Sequence, residues 1–450
     1  NAEPEMITLQ KLSLIAKRAR REPGCQFTSL AHLLNERFLE HCYHRLGRDR
    51  ASGIDGVTWQ EYGENLEENL KELVARLKGK RYKPLPARRV YIPKDEHSKR
   101  PLGLPALEDK IVQKGIALIL EAIYEEDFYD FSYGFRRGRS AHDALKVLRE
   151  FCMDAGINWI VDADVSGYFD SIDHQRLQDF IRRRVNDGSL RRLIGKWLKA
   201  GVLEEGELSY PDKGSPQGAV ISPLLANVYL HYVLDQWFME EIRPQLKGKA
   251  FLIRYADDFV IGCENETEAR WLMEQVRERF ASHGLTIHPT KSHVIDFRRP
   301  SRIPTAVDGP SSPASSSRRG GRGKGNGTFD FLGFTHYWAR SRRGFWVIKR
   351  RTMRKRQRRA YRSIWDWCRR HRHLPLPEQH RRLSSKLRGH YQYYGIRCNE
   401  YRMRAVWRLA QRAWRYWLSR RSHRSTIPWE KFALYLEEHP LPIHKIVHSI

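Results

Sequence analysis

Two adjacent carboxylates, Asp257 and Asp258, lie within Arg254-Tyr255-Ala256-Asp257-Asp258-Phe259-Val260, behind an aromatic residue and ahead of an apolar run. Successive residues of a regular strand point to opposite faces, so both can approach one site only if a tight turn falls there. A hairpin tip is the expectation. An exposed turn without chemistry uses the same residues, since Asp is a common turn former, and the pair gains meaning from a third carboxylate. Asp164 ends an apolar stretch from Ile157 and opens Asp164-Val165-Ser166-Gly167-Tyr168-Phe169-Asp170. Carboxylates converging from two strands repel one another unless cations neutralise them, and hard oxygen ligands select Mg²⁺. Two such ions can activate a hydroxyl nucleophile and stabilise a leaving pyrophosphate in an in-line displacement. Asp162, on the same strand face as Asp164, is a rival ligand or a structural cap, while Asp170 and Asp173 read as capping or structural residues.

A third segment, Lys213-Gly214-Ser215-Pro216-Gln217-Gly218-Ala219-Val220-Ile221-Ser222-Pro223, has glycines that allow close backbone approach to a ligand. Gln217 offers both a donor and an acceptor, and Ser222-Pro223 suits a helix start. An ordinary loop leading into a helix accounts for Ser222 and Pro223 but not for Gln217 between small residues.

The elements that must position these groups follow from periodicity. Residues 8–50 read as amphipathic helices with basic faces, 61–78 as another helix, and 83–93 as an extended, proline-marked stretch. The apolar runs 157–165 and 251–262 read as strands meeting at acidic tips. Residues 300–327 turn to Pro, Ser, Gly and basic residues, a composition that cannot bury apolar area, and are expected to be a disordered insertion or linker. A strand is expected to resume at Thr328 to Thr335, with basic helices from Lys349 onward.

A chain of 450 residues exceeds one compact core, so subdomains around a shared cleft are expected. Its net charge of +28 points to a polyanionic partner, and residues 341–424 carry 27 Lys and Arg against Asp366, Glu378 and Glu400, a net +24. Interleaved Trp residues favour nucleic acid over a membrane surface, which needs a long unbroken apolar face. The six cysteines are scattered without a Cys-x-x-Cys pair, so neither a zinc site nor a disulfide framework is indicated. With no secretory signal and no apolar run of membrane-spanning length, an intracellular protein is expected.

In this order, the three segments resemble the palm of reverse transcriptases. Asp164 falls in the first acidic motif, Gln217 in the nucleotide-binding loop, and Tyr255-Ala256-Asp257-Asp258 in the signature hairpin. Arg88-Arg89-Val90-Tyr91-Ile92-Pro93-Lys94 and Lys99-Arg100-Pro101-Leu102-Gly103-Leu104-Pro105 resemble the fingers motif of the group II intron type, where basic side chains hold the incoming triphosphate. That role is carried to Arg100 and Lys94, although any Lys in so basic a chain is ordinarily a solvated surface charge. The resemblance makes Phe169 a steric gate against a ribose 2′-hydroxyl, where a core aromatic is the alternative, and makes Lys291, in Leu285-Thr286-Ile287-His288-Pro289-Thr290-Lys291, a general acid for pyrophosphate. It places two Mg²⁺, with Mn²⁺ as a substitute, on Asp164, Val165, Asp257 and Asp258. Residues Phe329 to Phe334 resemble the strand pair that grips the primer. Gly134-Phe135-Arg136-Arg137-Gly138-Arg139-Ser140 resembles the template-contacting segment, which implies that Arg136, Arg137 and Arg139 bind nucleic acid.

Leu387-Arg388-Gly389-His390-Tyr391-Gln392-Tyr393-Tyr394-Gly395-Ile396 resembles the maturase or thumb signature of group II intron proteins, implying nucleic-acid contacts from Arg388 and Tyr391. Trp407, Trp414 and Trp417 read as a helical thumb core, with Arg404, Arg408, Arg412 and Arg415 facing nucleic acid. The expected fold is an α/β (α+β) right-hand polymerase with an antiparallel-sheet palm. Its divisions are an N-terminal helical extension (1–50), fingers (51–158), palm (159–335, with fingers elements between 175 and 213) and thumb (336–450). The resemblance implies an RNA template, a DNA or RNA primer, dNTPs and a structured intron RNA as partners, no membrane, and a bacterial cytoplasmic location. Without paired cysteines or a segment after the thumb-like region, it is to endonuclease-free intron proteins or free-standing relatives used in repair or phage defence. A splicing cofactor using the fold as a scaffold, and an RNA-dependent RNA polymerase opposed by Phe169, are the alternatives.

Overall fold

The structure, a computed structural model, describes residues 2–93, 99–154, 156–204, 207–210, 212–214, 218–300, 327–422 and 426–450. Its strands are numbered in chain order. Strands β1 (Ala87–Pro93), β2 (Lys99–Leu104), β5 (Val202–Glu204) and β6 (Glu207–Ser209) form a sheet in the order β2-β1-β5-β6. A second, wholly antiparallel sheet has the order β10-β3-β8-β7, from β3 (Trp159–Ala163), β7 (Ala250–Tyr255), β8 (Asp258–Cys263) and β10 (His293–Asp296). Strands β11 (Phe329–Phe331), β12 (Phe334–Arg340) and β13 (Trp346–Thr352) form a third, and β4 (Val165–Ser166) pairs with β9 (Thr286–Ile287). Mixed helices and antiparallel sheets agree with the expected α+β class.

The second sheet carries the acidic tips, and its central strands are almost continuously apolar for a physical reason. The helix Glu266–Ser282 covers one side, and the helix Ala141–Asp154 packs against β7. A sheet covered on both faces leaves no solvent side for polar alternation. The long helix Leu107–Tyr124 is buried over most of its length and joins the N-terminal helices to this sheet in one large core.

Several boundaries differ from the sequence expectation. The 61–78 helix is two helices, Trp59–Glu64 and Leu66–Lys78, because Asn65 leaves the helical region at φ −126° and ψ 42°. Thr58 starts the first with a capping box: Glu61 N–H donates to its hydroxyl at 3.3 Å, and the Glu61 carboxylate accepts from Thr58 N–H at 2.8 Å. The stretch Thr328 to Thr335 is a hairpin, β11 turning into β12 at Leu332-Gly333. Basic helices begin at Arg354, not Lys349, since Ile348, Arg350 and Thr352 alternate inward along β13. The expected disordered insertion lies, over 301–326, outside the described residues.

The C-terminal helices Arg354–Arg370, Leu376–Tyr394, Glu400–Leu418 and Trp429–Glu438 enclose their own core around Leu383, Leu387, Met403, Ala410, Trp414 and Phe432. Trp414 and Ala410 are fully enclosed, with Trp407 and Trp417 packed at the margin, as a helical core requires. Among the described residues, no helix is long and apolar enough to cross a membrane.

Candidate active site

The β7–β8 register pairs Tyr255 with Asp258 and leaves Ala256 and Asp257 as a two-residue turn. Such a turn needs a positive φ at its first central position to match the twist of its strands. Ala256 supplies it at φ +59°. A left-handed non-glycine residue is strained by about 1–3 kcal/mol and persists only where its surroundings hold it. The chain at 131–134 does so: Arg254 N–H donates to Phe131 O and Tyr133 N–H to Arg254 O, both at 2.9 Å. Gly134 lies so close that an added Cβ would be 2.3 Å from the Ala256 nitrogen.

Beneath the turn is a polar network that the motif reading missed. Arg254 is fully enclosed and forms a two-point ion pair with equally enclosed Asp235, its Nε lying 2.7 Å from Oδ1. Its Nη1 donates to Asn227 Oδ1 at 2.9 Å and to the Ala256 carbonyl at 3.1 Å, and Asn227 Nδ2 donates to Gly134 O at 2.6 Å. Asp235 reaches Arg254 from a π-helical turn, His231–Asp235, that continues the helix Ser222–Leu230. The available signal was a lone Arg after Phe251-Leu252-Ile253, since an arginine in a buried strand requires a partner.

Asp164 lies one residue past β3, where the β3–β8 register, continued, sets it opposite Asp258. Its backbone is held on both sides by one loop. The Asp164 N–H donates to Ser292 Oγ at 3.1 Å, and its carbonyl accepts from His288 N–H at 2.7 Å. The same loop brings Lys291 Nζ to 3.4 Å from Asp164 Oδ2. Asp258 is exposed to solvent on one side but crowded on its others. That crowding, then the Asp257 charge, pushes its pKa up to about 7 against the opposing effect of the Leu332 amide, with Asp164 adding to the rise. Asp162 is also pushed up to about 7, first by burial and then by Asp258, Asp330 and Asp164.

Among the described residues, no three His, Cys, Asp or Glu side chains stand arranged to hold a metal ion. The donor chemistry nevertheless fits a divalent cation. Asp164, Asp257 and Asp258 offer hard oxygens, and the Asp257 and Asp164 charges that oppose ionisation of Asp258 are ones a divalent cation would neutralise. The Val165 side chain is buried and apolar, which leaves only its carbonyl oxygen as a ligand.

Residues matching these motifs, 92–336, fit the reverse transcriptase (RNA-dependent DNA polymerase) family over more than half of the chain. The chain belongs to that family. Its fold is accordingly the α+β right-hand polymerase. Protein YkfC of Escherichia coli K12 is 38% identical to this chain over 248 residues, 48% of the chain and 65% of the relative. The group II intron-encoded protein LtrA of Lactococcus lactis subsp. cremoris is 36% identical over 290 residues, 62% of the chain and 47% of the relative. Nuclear intron maturase 4, mitochondrial, of Arabidopsis thaliana is 27% identical over 160 residues, 34% of the chain and 19% of the relative. The chain thus spans just under two thirds and about half of the first two relatives.

Of the residues expected to bind nucleotide, Arg100 is exposed on β2 opposite Ile92, whereas Lys94 and Gln217 lie outside the described residues. The flanks of the Gln217 loop are tightly seated. Gly218, at φ +110°, packs so that a Cβ would lie 2.7 Å from Gly103 O, and Val220 N–H donates to buried Gln113 Oε1 at 3.0 Å. At the other end, Gly214 N–H donates to Ile172 O at 2.8 Å, and its backbone packs against Phe169 and Asp170. The two flanks, Gly214 and Gly218, therefore lie against the Phe169 turn and β2 respectively. Phe169 is half-buried and edge-on to Tyr168, with ring centroids 5.5 Å apart. Asp173 caps the helix His174–Arg184 through Arg176 N–H at 2.8 Å, as expected.

The expected nucleic-acid residues divide. Arg404, Arg408 and Arg412 are exposed on the helix Glu400–Leu418, and Arg388 on Leu376–Tyr394. Arg415, expected outward, turns in to donate to Ile427 O at 2.7 Å and stacks over Trp429. Arg136 is corrected from template contact to structural clamp, because its side chain is 2% exposed, paired with Glu125, and donates to the Tyr129 and Ser132 carbonyls. Arg139 is held by Asp130 at 2.6 Å, and Arg137 is 63% exposed beside Glu121. Tyr391 is likewise corrected: it is 3% exposed in the C-terminal core and cannot stack on a base from there.

Proposed function

We propose that this chain copies RNA into DNA from a primer, as a reverse transcriptase of the group II intron type. The observation that carries the reading is the convergence of Asp164 and the Asp257-Asp258 turn, braced by separate loops, with Lys291 beside Asp164. In this reading residues 51–158 are fingers, 159–335 palm and 336–450 thumb. Asp164 and Asp257 bind Mg²⁺ directly and Asp258 supports them. The bound ions supply Lewis acidity that activates the primer 3′-hydroxyl and stabilises the leaving pyrophosphate. Lys291 then gives that pyrophosphate a proton, Phe169 fills the space of a ribose 2′-hydroxyl, and Arg100 holds the triphosphate. The exposed Arg388, Arg404, Arg408 and Arg412 bind the template–primer duplex or a structured RNA through its phosphates. In this reading the protein acts in the bacterial cytoplasm.

The test is primer extension by the purified chain on an RNA template with dNTPs and Mg²⁺. Incorporation that stops on chelation supports the reading, and no incorporation with a matched primer contradicts it. A second reading, intron RNA binding for splicing, is favoured by the acid-poor basic face of Glu400–Leu418 and by relatives named for introns. Splicing that persists in an Asp257→Ala protein would separate the two activities, which are compatible in one chain.

A further inference from the structure

The Tyr168 hydroxyl is an enclosed polar group with no part in the chemistry assigned so far. Its residue is 3% exposed, and a phenol so deeply buried must find its hydrogen-bond partner inside the protein. It donates to the Ala226 carbonyl at 2.6 Å, on the helix Ser222–Leu230 that follows the Gln217 loop. Phe169 is the next residue along one helical turn, Tyr168–Ser171. Consecutive residues of a helix diverge by about 100° around its axis, so the two rings take different directions. Tyr168 joins the core, whereas Phe169 stays half-buried, its ring plane at 63° to that of Tyr168.

The turn begins after Gly167, left-handed at φ +54°, and closes on itself through two bonds to the Gly167 carbonyl, from Asp170 N–H at 2.9 Å and Ser171 Oγ at 3.0 Å. Two contacts tie it to other elements. The Gly214 backbone lies against it, where a Cβ would meet Asp170 Cα at 3.0 Å and Phe169 O at 3.1 Å. The Tyr168–Ala226 bond is the second. Gly214 and Ala226 bracket, in sequence, the loop that carries Gln217.

We propose that Tyr168 is a positioning residue for nucleotide selection, tying the Phe169 turn to the helix Ser222–Leu230 and so fixing how far the Phe169 ring projects toward the sugar. A steric filter discriminates only while it cannot yield, because a ring that moves aside by a fraction of an ångström admits an added hydroxyl. This rests on the polymerase reading above, with Phe169 as the residue that meets the ribose.

Single-nucleotide primer extension by the full chain on an RNA template, with dNTP and with NTP, tests it in Tyr168→Phe, Phe169→Ala, the double variant and Tyr43→Phe. Phenylalanine at 168 keeps the ring and its burial and removes only the hydroxyl. In Tyr168→Phe, kcat/KM for NTP relative to dNTP is expected to rise about threefold to tenfold, the range of one neutral hydrogen bond. Affinity for the template–primer duplex should stay at the wild-type value. Because Tyr168 acts through Phe169, the double variant should be no less selective than Phe169→Ala alone. Tyr43→Phe removes another buried hydroxyl, bonded to Trp59 O at 2.7 Å from the helix Glu36–His44, and should keep wild-type selectivity whatever its Tm. Unchanged selectivity in Tyr168→Phe, an equal change in Tyr43→Phe, or additive changes in the double variant overturn the positioning role. Unchanged selectivity in Phe169→Ala instead overturns the assignment of Phe169, and absence of incorporation by wild type overturns the polymerase reading itself.

Discussion

The guanidinium of Arg254 and the carboxylate of Asp235 face each other, wholly enclosed, directly behind the turn that presents Asp257 and Asp258. Because Arg254 also donates to the Ala256 carbonyl, the pair braces the strained residue of that turn as well as joining helix to strand. Asp235→Ala leaves Arg254 buried without its counter-charge, which destabilises by about 3–5 kcal/mol. Urea unfolding should show that loss, and a change under 1 kcal/mol would mean that the pair is not enclosed in solution.

Gly134 gives a second handle on the same turn. An alanine Cβ there meets the Ala256 backbone at 2.3 Å, and backbone, unlike a flexible side-chain end, cannot swing aside. Gly134→Ala should lower stability by about 1–3 kcal/mol and reduce primer extension more than RNA binding. Equal effects on both would point to general misfolding.

Phe169 is half-buried at the turn that the Gly214 backbone packs against, as a residue facing both core and nucleotide would be. Phe169→Ala should raise NTP incorporation relative to dNTP by about tenfold or more, from a wild-type preference for dNTP. Unchanged selectivity would return Phe169 to the role of a core aromatic.

Acid sensitivity should come from buried neutral histidines. Burial pushes His231 and His390 down to about 4 and His336 well below the usual imidazole range, with Asp235 partly opposing at His231 and Arg350 adding at His336. In the unfolded chain these imidazoles bind protons near pH 6.5, so the unfolded state holds more protons between about 6.5 and 4 and stability falls as the pH drops through that window. For His231 the limit is about 3 kcal/mol. Unfolding titrations at pH 7 and pH 5 should show a smaller difference for His231→Phe than for wild type. An equal difference would show that His231 is not buried neutral.

Much of the candidate site's geometry was legible because it is local. An Asp pair between an aromatic and an apolar run requires a turn, and β7 and β8 meet there; Asp164 at the end of an apolar run emerges opposite it. Arg136 and Tyr391 were misread because a basic or aromatic residue in a motif looks the same whether it faces solvent or core. Glu125 and the C-terminal core, which decide the matter, are tertiary partners. The Asp235–Arg254 pair spans 19 residues and depends on a π-helical turn, which has no distinctive sequence pattern. The β13 strand was missed because basic residues conceal its alternation.

The central claim is that the Asp257-Asp258 turn and Asp164 form one catalytic centre. The most direct test is primer extension on an RNA template by wild type and by Asp257→Ala, with binding of the template–primer duplex measured on both. The prediction is that Asp257→Ala binds the duplex as wild type does while dNTP incorporation falls by at least about a thousandfold, as expected when a group acting in the transition state is removed. Equal incorporation by the two proteins would contradict it.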